Sequence, residues 1–239
     1  MPRIPFLSIA IISGLIGFGS IGSAATLAID ATRLGYTSKG GINQARTVPI
    51  TGTFATYGDV FKAHYIFDFS SFVGSDINVT SLTLELGVHS FMSGQVETLT
   101  VGGYSGDLSV LKTDNFRSPT FATNRNIYPD LVEAPFGEVT LGSQTSAGDV
   151  LSIGLNGDGQ NAAQVVADTD GLTEFALGTS FGIPVWGAES RYLGSSSARL
   201  IVNYDELNTP TPVPLPAGLP LLLAGLGGLG LLSRRKRSS

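Results

Sequence analysis

The chain is predicted to be all-β: a single antiparallel β-sandwich or jelly roll, flanked by an N-terminal signal helix and a C-terminal transmembrane helix. Three observations predict this. Phe61, Ala63, Tyr65, Phe67 and Phe69 alternate with Lys62, His64, Ile66 and Asp68, and Leu82, Leu84, Leu86 and Val88 alternate with Thr83, Glu85, Gly87 and His89. That two-residue period belongs to strands with one buried face. Short β-rich runs are separated by turns of Gly, Ser, Asn and Asp, as in sandwiches. Helical periodicity is nearly absent, with one short helix expected over Ala162–Ala167. The ends are apolar, which divides the chain into residues 1–25, 26–207, 208–216 and 217–239.

Residues 1–25 carry Arg3 as their only charge, then an apolar run from Leu7 to Ile21, then Gly22-Ser23-Ala24-Ala25. A positive start, an apolar centre and small residues at the close describe a secretory signal peptide. Cleavage is expected after Ala25, with Ala24 as the alternative. Export suits a chain with no cysteine, whose body is expected to stand on its core or on bound ions rather than on disulfides.

The body, residues 26–207, is acidic. The chain has 14 basic and 19 acidic residues and a net charge of −5. Arg3 and the four cations near the C-terminus remove five of the basic residues and no acid, leaving 9 against 19, or −10. Nucleic acid is thereby disfavoured as a partner, because its binding needs Lys and Arg to neutralise phosphates. About 185 residues suffice for one domain with a full core. Further strands are expected at Thr47–Thr53, Glu97–Tyr104, Gly137–Leu141, Val150–Leu155, Glu174–Leu177 and Ala198–Tyr204.

Candidate chemistry in the body is sparse. Gly178-Thr179-Ser180-Phe181-Gly182 has the G-x-S-x-G spacing of a nucleophile elbow. That elbow needs a helix after the serine and a histidine later in the chain. Pro184 follows too closely, and His64 and His89 both precede Ser180, so a loop between strands is expected instead. By alternation both histidines fall on polar strand faces and are expected to be exposed. The oxygen-rich stretches Asn156–Asn161 and Asp168–Gly171 offer Asp158, Asp168 and Asp170 as candidate Ca²⁺ ligands, although ordinary turn chemistry accounts for the same residues. No catalytic residue and no cofactor is assigned. Trp186, with Tyr192 nearby, is a candidate sugar-stacking pair, against the plainer reading of Trp186 as core.

Residues 208–216 form a proline-rich linker, in which Pro210, Pro212, Pro214 and Pro216 keep the backbone extended. From Ala217 to Leu232 a helix would span about 24 Å, short of the roughly 30 Å hydrocarbon core unless it begins at Val213. Eight leucines favour insertion, with five glycines and Pro220 opposing a stable helix. Arg234, Arg235, Lys236 and Arg237 then form a basic stop that holds this end on the cytoplasmic side.

The order Val213-Pro214-Leu215-Pro216-Ala217, Leu/Gly segment and basic end resembles the VPLPA variant of the PEP-CTERM sorting signals. The match covers about a tenth of the chain, with Pro-Leu-Pro where the commoner signal has Pro-Glu-Pro. The resemblance implies a Gram-negative exported protein, held transiently in the inner membrane, cut by an exosortase, and associated with exopolysaccharide or biofilm at the cell surface. More weakly, Phe67–Ser71, Val79–Leu86, Gly103-Tyr104-Ser105-Gly106-Asp107 and Ala198–Tyr204 resemble the DNRLRE or carbohydrate-binding-module type of β-sandwich, which implies a fold more than an activity. The alternative is a secreted carbohydrate-active or esterase-type hydrolase using carboxylates such as Asp68, Glu85 or Asp107.

Overall fold

A computed structural model of the chain describes residues 24–39, 42–54, 59–93, 96–114, 128–181 and 191–207. They belong to one compact unit, Ser23–Asn208. The elements in order are β1 (Ala24–Ser38), β2 (Asn43–Ala45), β3 (Ile50–Phe54), β4 (Asp59–Asp68), β5 (Ile77–Met92) and β6 (Glu97–Tyr104). They continue with α1 (Leu108–Leu111), β7 (Leu131–Leu141), β8 (Val150–Leu155), α2 (Gly157–Asp168), β9 (Glu174–Phe181) and β10 (Arg191–Glu206). Every strand pairing among the described residues is antiparallel, so the all-β expectation holds.

The strands form one continuous hydrogen-bonded path rather than two separate sheets. β1 does the switching. Its first half, Ala24–Asp30, pairs with β10; after an irregularity between Ala31 and Arg33 its second half pairs with β4 on one side and β2 on the other. One half of the path is thus β8, β5, β10 and the start of β1; the other is β2, the end of β1, β4, β9, β6 and β7. β3 bridges them, pairing with both β10 and β4. Leu82, Leu84, Leu86 and Val88 from β5, Leu200 and Val202 from β10, Tyr65 and Phe67 from β4, Leu99 and Val101 from β6 and Leu177 from β9 meet in a single core. Removing this apolar surface from water, at roughly 25 cal/mol per Å², is what holds the two halves face to face.

Several boundaries differ from expectation. β6 and β8 fall where the pattern placed them, whereas β7 starts six residues earlier than Gly137, and β9 and β10 extend further. β1 and β2 were not expected. β1 alternates half-buried with exposed along an edge, and its Ala, Thr and Asp residues mute the hydrophobic period. The short helix over Ala162–Ala167 is α2, twice as long. Asn156 caps it, its side-chain oxygen accepting from the amides of Asp158 and Gly159, so the stretch read as an oxygen-rich turn opens a helix. Gly178, Thr179 and Ser180 lie inside β9, which corrects the expected loop.

His64 is the other correction. Alternation put it on the face away from the main core, and it is there, paired with Gly35 and Gly178. That face is not solvent-exposed: the α1 region covers it, with Ile66, Leu111 and Ala176 forming a second small core, and His64 has no exposed surface. His89 is exposed as expected.

The leader, Trp186, the Val213–Ala217 motif, the Leu/Gly segment and the basic stop lie outside the described residues. Among the described residues no helix is long and apolar enough to cross a membrane.

Candidate functional site

The end of β6, the start of β9, the early part of β7, α1 and α2 converge on a cavity of about 520 Å³. Its floor is apolar, with Phe136 from β7, Phe175 from β9, and Ala162 and Val166 from α2, while Leu172, before β9, lines it from the exposed edge. Its rim is polar, with Ser105, Asp107, Glu133 and Glu174, and Tyr104 stands between rim and floor. This is the usual economy of a small-molecule site, an apolar volume with few polar groups to set orientation.

Local sequence explains each wall. Gly103-Tyr104-Ser105-Gly106-Asp107, noted above for its resemblance to a sandwich motif, turns the chain out of β6 into α1. Gly103 must lack a side chain, because a Cβ there would come within 2.8 Å of the Phe136 ring. Asp107 caps α1 by accepting from the Ser109 amide at 2.8 Å, and the Tyr104 hydroxyl donates to the Asp107 carbonyl at 3.2 Å. On the facing wall, the Ser105 hydroxyl donates to the Glu133 carboxylate at 2.9 Å. Glu174 is ion-paired with Lys112, just past α1. Val132, next to Glu133, sits at φ 61°. For a β-branched residue that is a strained backbone, costing on the order of 1–3 kcal/mol, and such strain concentrates at functional positions.

α2 closes the cavity from the side of β5. Gln164 fastens it there, its amide nitrogen donating to the Ile77 carbonyl at 3.0 Å and its oxygen accepting from the Val79 amide at 2.7 Å. Ala162 and Val166 thereby keep their faces toward the cavity.

Behind α1 lies a partly buried polar cluster. The Asn43 side-chain nitrogen donates to the carbonyls of Val110, Leu111 and Thr113, where α1 ends. Asp114 accepts from the Ala45 amide and pairs with Arg33, both at 2.7 Å. Beneath them His64 makes no hydrogen bond through either ring nitrogen, and its Nε2 lies 2.4 Å from where a Gly35 Cβ would be. Burial pushes the His64 imidazolium down to about 3; the Arg33 guanidinium acts in the same direction and Asp114 opposes it. His64 is therefore neutral at ordinary pH. Lys62, two residues earlier, donates to the carbonyls of Tyr128 and Leu131, and its ammonium is lowered by burial.

Of the residues singled out in the sequence, Asp107 reaches the cavity. Asp68 is exposed at the end of β4, where the Ser70 amide bonds its carboxylate and holds it below the usual range. Glu85 lies on the outer side of β5, opposite Arg199 and Ser152. Tyr192 pairs with Gly52 and Met92 and does not line the cavity. Asp158 and Asp168 stand ten residues apart on α2, about 15 Å along its axis, too far to share one ion. Among the described residues no group of three or more His, Cys, Asp or Glu is placed to hold a metal. Glu133 and Glu174 were not anticipated; the only signal for Glu133 was its position in an acid-bearing strand otherwise flanked by apolar residues.

Fold and cavity together define an antiparallel all-β protein with an acid-rimmed apolar pocket at one end. No protein-family model matches the chain, and no curated protein matches it in sequence.

Proposed function

We propose that this is an exported cell-surface or matrix protein, a β-sandwich of carbohydrate-binding type, processed at Val213–Ala217 by an exosortase and associated with exopolysaccharide. The observation that carries the reading is the C-terminal order of rigid prolines, Leu/Gly segment and Arg/Lys cluster. The body supports it geometrically. Ala24 of β1 pairs with Asp205 of β10, and the Leu207 amide donates to the Asp76 carbonyl, so the folded unit begins and ends on neighbouring strands. Cleavage after Ala25 removes only the first two pairs of β1, leaving Thr26 opposite Asn203.

Mass spectrometry of the protein from cells and from medium tests this. The mature species should lack residues up to Ala25 and the Leu/Gly segment. A chain with Pro214 and Pro216 both changed to Ala should accumulate in the inner membrane fraction. Recovery of intact Arg234–Arg237 on extracellular material sinks the proposal. The hydrolase reading gains from Asp107, Glu133 and Glu174 gathering at one cavity, and release of cleaved sugar or ester product would favour it.

A further inference from the structure

We infer that the cavity between α1, β7 and α2 is a binding site for N-acetylated hexosamine units of a neutral polysaccharide. The inference rests on the surface-protein reading and adds the ligand class. The floor formed by Phe136, Phe175, Ala162 and Val166 favours an apolar group on the ligand, and the methyl of an acetamido substituent is such a group on an otherwise hydroxylated ring. At the rim, Glu133 offers acceptor sites beyond the one that Ser105 occupies. Carboxylates are acceptors only, and Glu133 meets the Ser105 hydroxyl while no cation among the described residues pairs with it. Sugar hydroxyls and the acetamido N–H are donors for such sites. Charge excludes the other large class of polysaccharide: a uronate would bring its carboxylate against Glu133 and Asp107, on a body of net charge −10. A volume of about 520 Å³ admits one or two pyranose rings and no folded partner.

The test is calorimetric titration of the full chain in detergent micelles with the trimer of β-1,4-linked N-acetylglucosamine. Its fully deacetylated trimer, a glucose trimer and a glucuronate-containing trimer are run in parallel. Saturable binding is expected for the acetylated trimer, with each of the others at least about tenfold weaker. Ala162→Leu, which fills the floor, should abolish binding while leaving the far-ultraviolet circular dichroism and the urea midpoint close to those of the parent. Glu133→Gln should weaken the acetylated trimer about tenfold, the loss expected of one hydrogen bond to a charged acceptor, and narrow the gap to the glucuronate trimer. Equal binding of all four sugars, tighter binding of the deacetylated or glucuronate trimer, no binding at all, or undiminished binding by a folded Ala162→Leu chain each overturns the inference. Mass spectrometry of the processed ends reads independently of all these outcomes, so sorting can stand while the sugar assignment fails.

Discussion

The two faces of β4 are buried by different means. Inward, Tyr65, Phe67 and the following Phe69 join an apolar core, where Phe69 stacks obliquely on Phe72 and Phe175 and the Tyr65 hydroxyl shares a 2.8 Å hydrogen bond with Ser195. Outward, His64 and Ile66 lie under α1 beside Arg33 and Asn43, and that layer is held by side-chain-to-backbone hydrogen bonds and one ion pair. The inner face gains from every methylene removed from water. The outer face gains from satisfying carbonyls at the end of α1, and it leaves both His64 nitrogens unsatisfied. One strand therefore carries a robust side and a conditional one, and the conditional side supports the helix that walls the cavity.

The contrast can be broken first at the core. Leu84→Ala, at a site with no exposed surface, should cost about 3 kcal/mol or more by urea unfolding, because transfer and cavity terms add. A cost below about 1 kcal/mol would mean the inner face is looser than described.

Next is pH. The unfolded His64 takes a proton near 6.5 and the folded one only near 3, so the unfolded state binds more protons between those values. Stability from this group is complete above about 6.5 and falls as pH drops, by at most about 1.4 kcal/mol per unit. Between pH 7 and 4.5 the parent should lose about 2–3 kcal/mol, and His64→Leu should flatten that slope. Asp68, whose carboxyl is held low, adds its own loss only below the ordinary carboxylate range. An unchanged slope in His64→Leu would place the titrating group elsewhere.

Asn43→Ala sharpens the comparison at smaller scale. Three carbonyls lose their donor, and about 2 kcal/mol is expected by the same unfolding assay. Faster amide exchange at Val110–Thr113 should accompany it, with protection at Leu84 unchanged. The least effect is expected at Arg199→Ala. Its 2.7 Å pair with Asp30 joins β1 to β10 in full solvent, and the denaturation midpoint should not move.

Much of the inner face could be read from spacing. The β5 alternation reproduces its burial, and β6 and β8 begin and end where β-rich residues do. The outer face could not, because alternation reports which residues share a face and is silent on what covers it. His64 looks like a solvent-facing residue until the α1 region, more than 40 positions later, is laid over it, and Lys62 does until Tyr128 and Leu131 meet its ammonium. The cavity was legible only in part. Gly103–Asp107 stood out as a stretch, and Asp107 was named, but Glu133, Glu174, Phe136 and Val166 come from elements whose convergence no local pattern encodes. The strain at Val132 likewise has no signature in its residue type.

What the linear chain determined alone is the chemistry of its ends, its acidic balance and its commitment to strands, because charge, hydropathy and a two-residue period are local properties. What only the tertiary structure decided is the route of β1 from one half of the sheet to the other, the burial of His64, and the gathering of three carboxylates and two phenylalanines around one volume. Those depend on contacts between residues far apart in sequence, whose geometry arises when the two halves close on a common core.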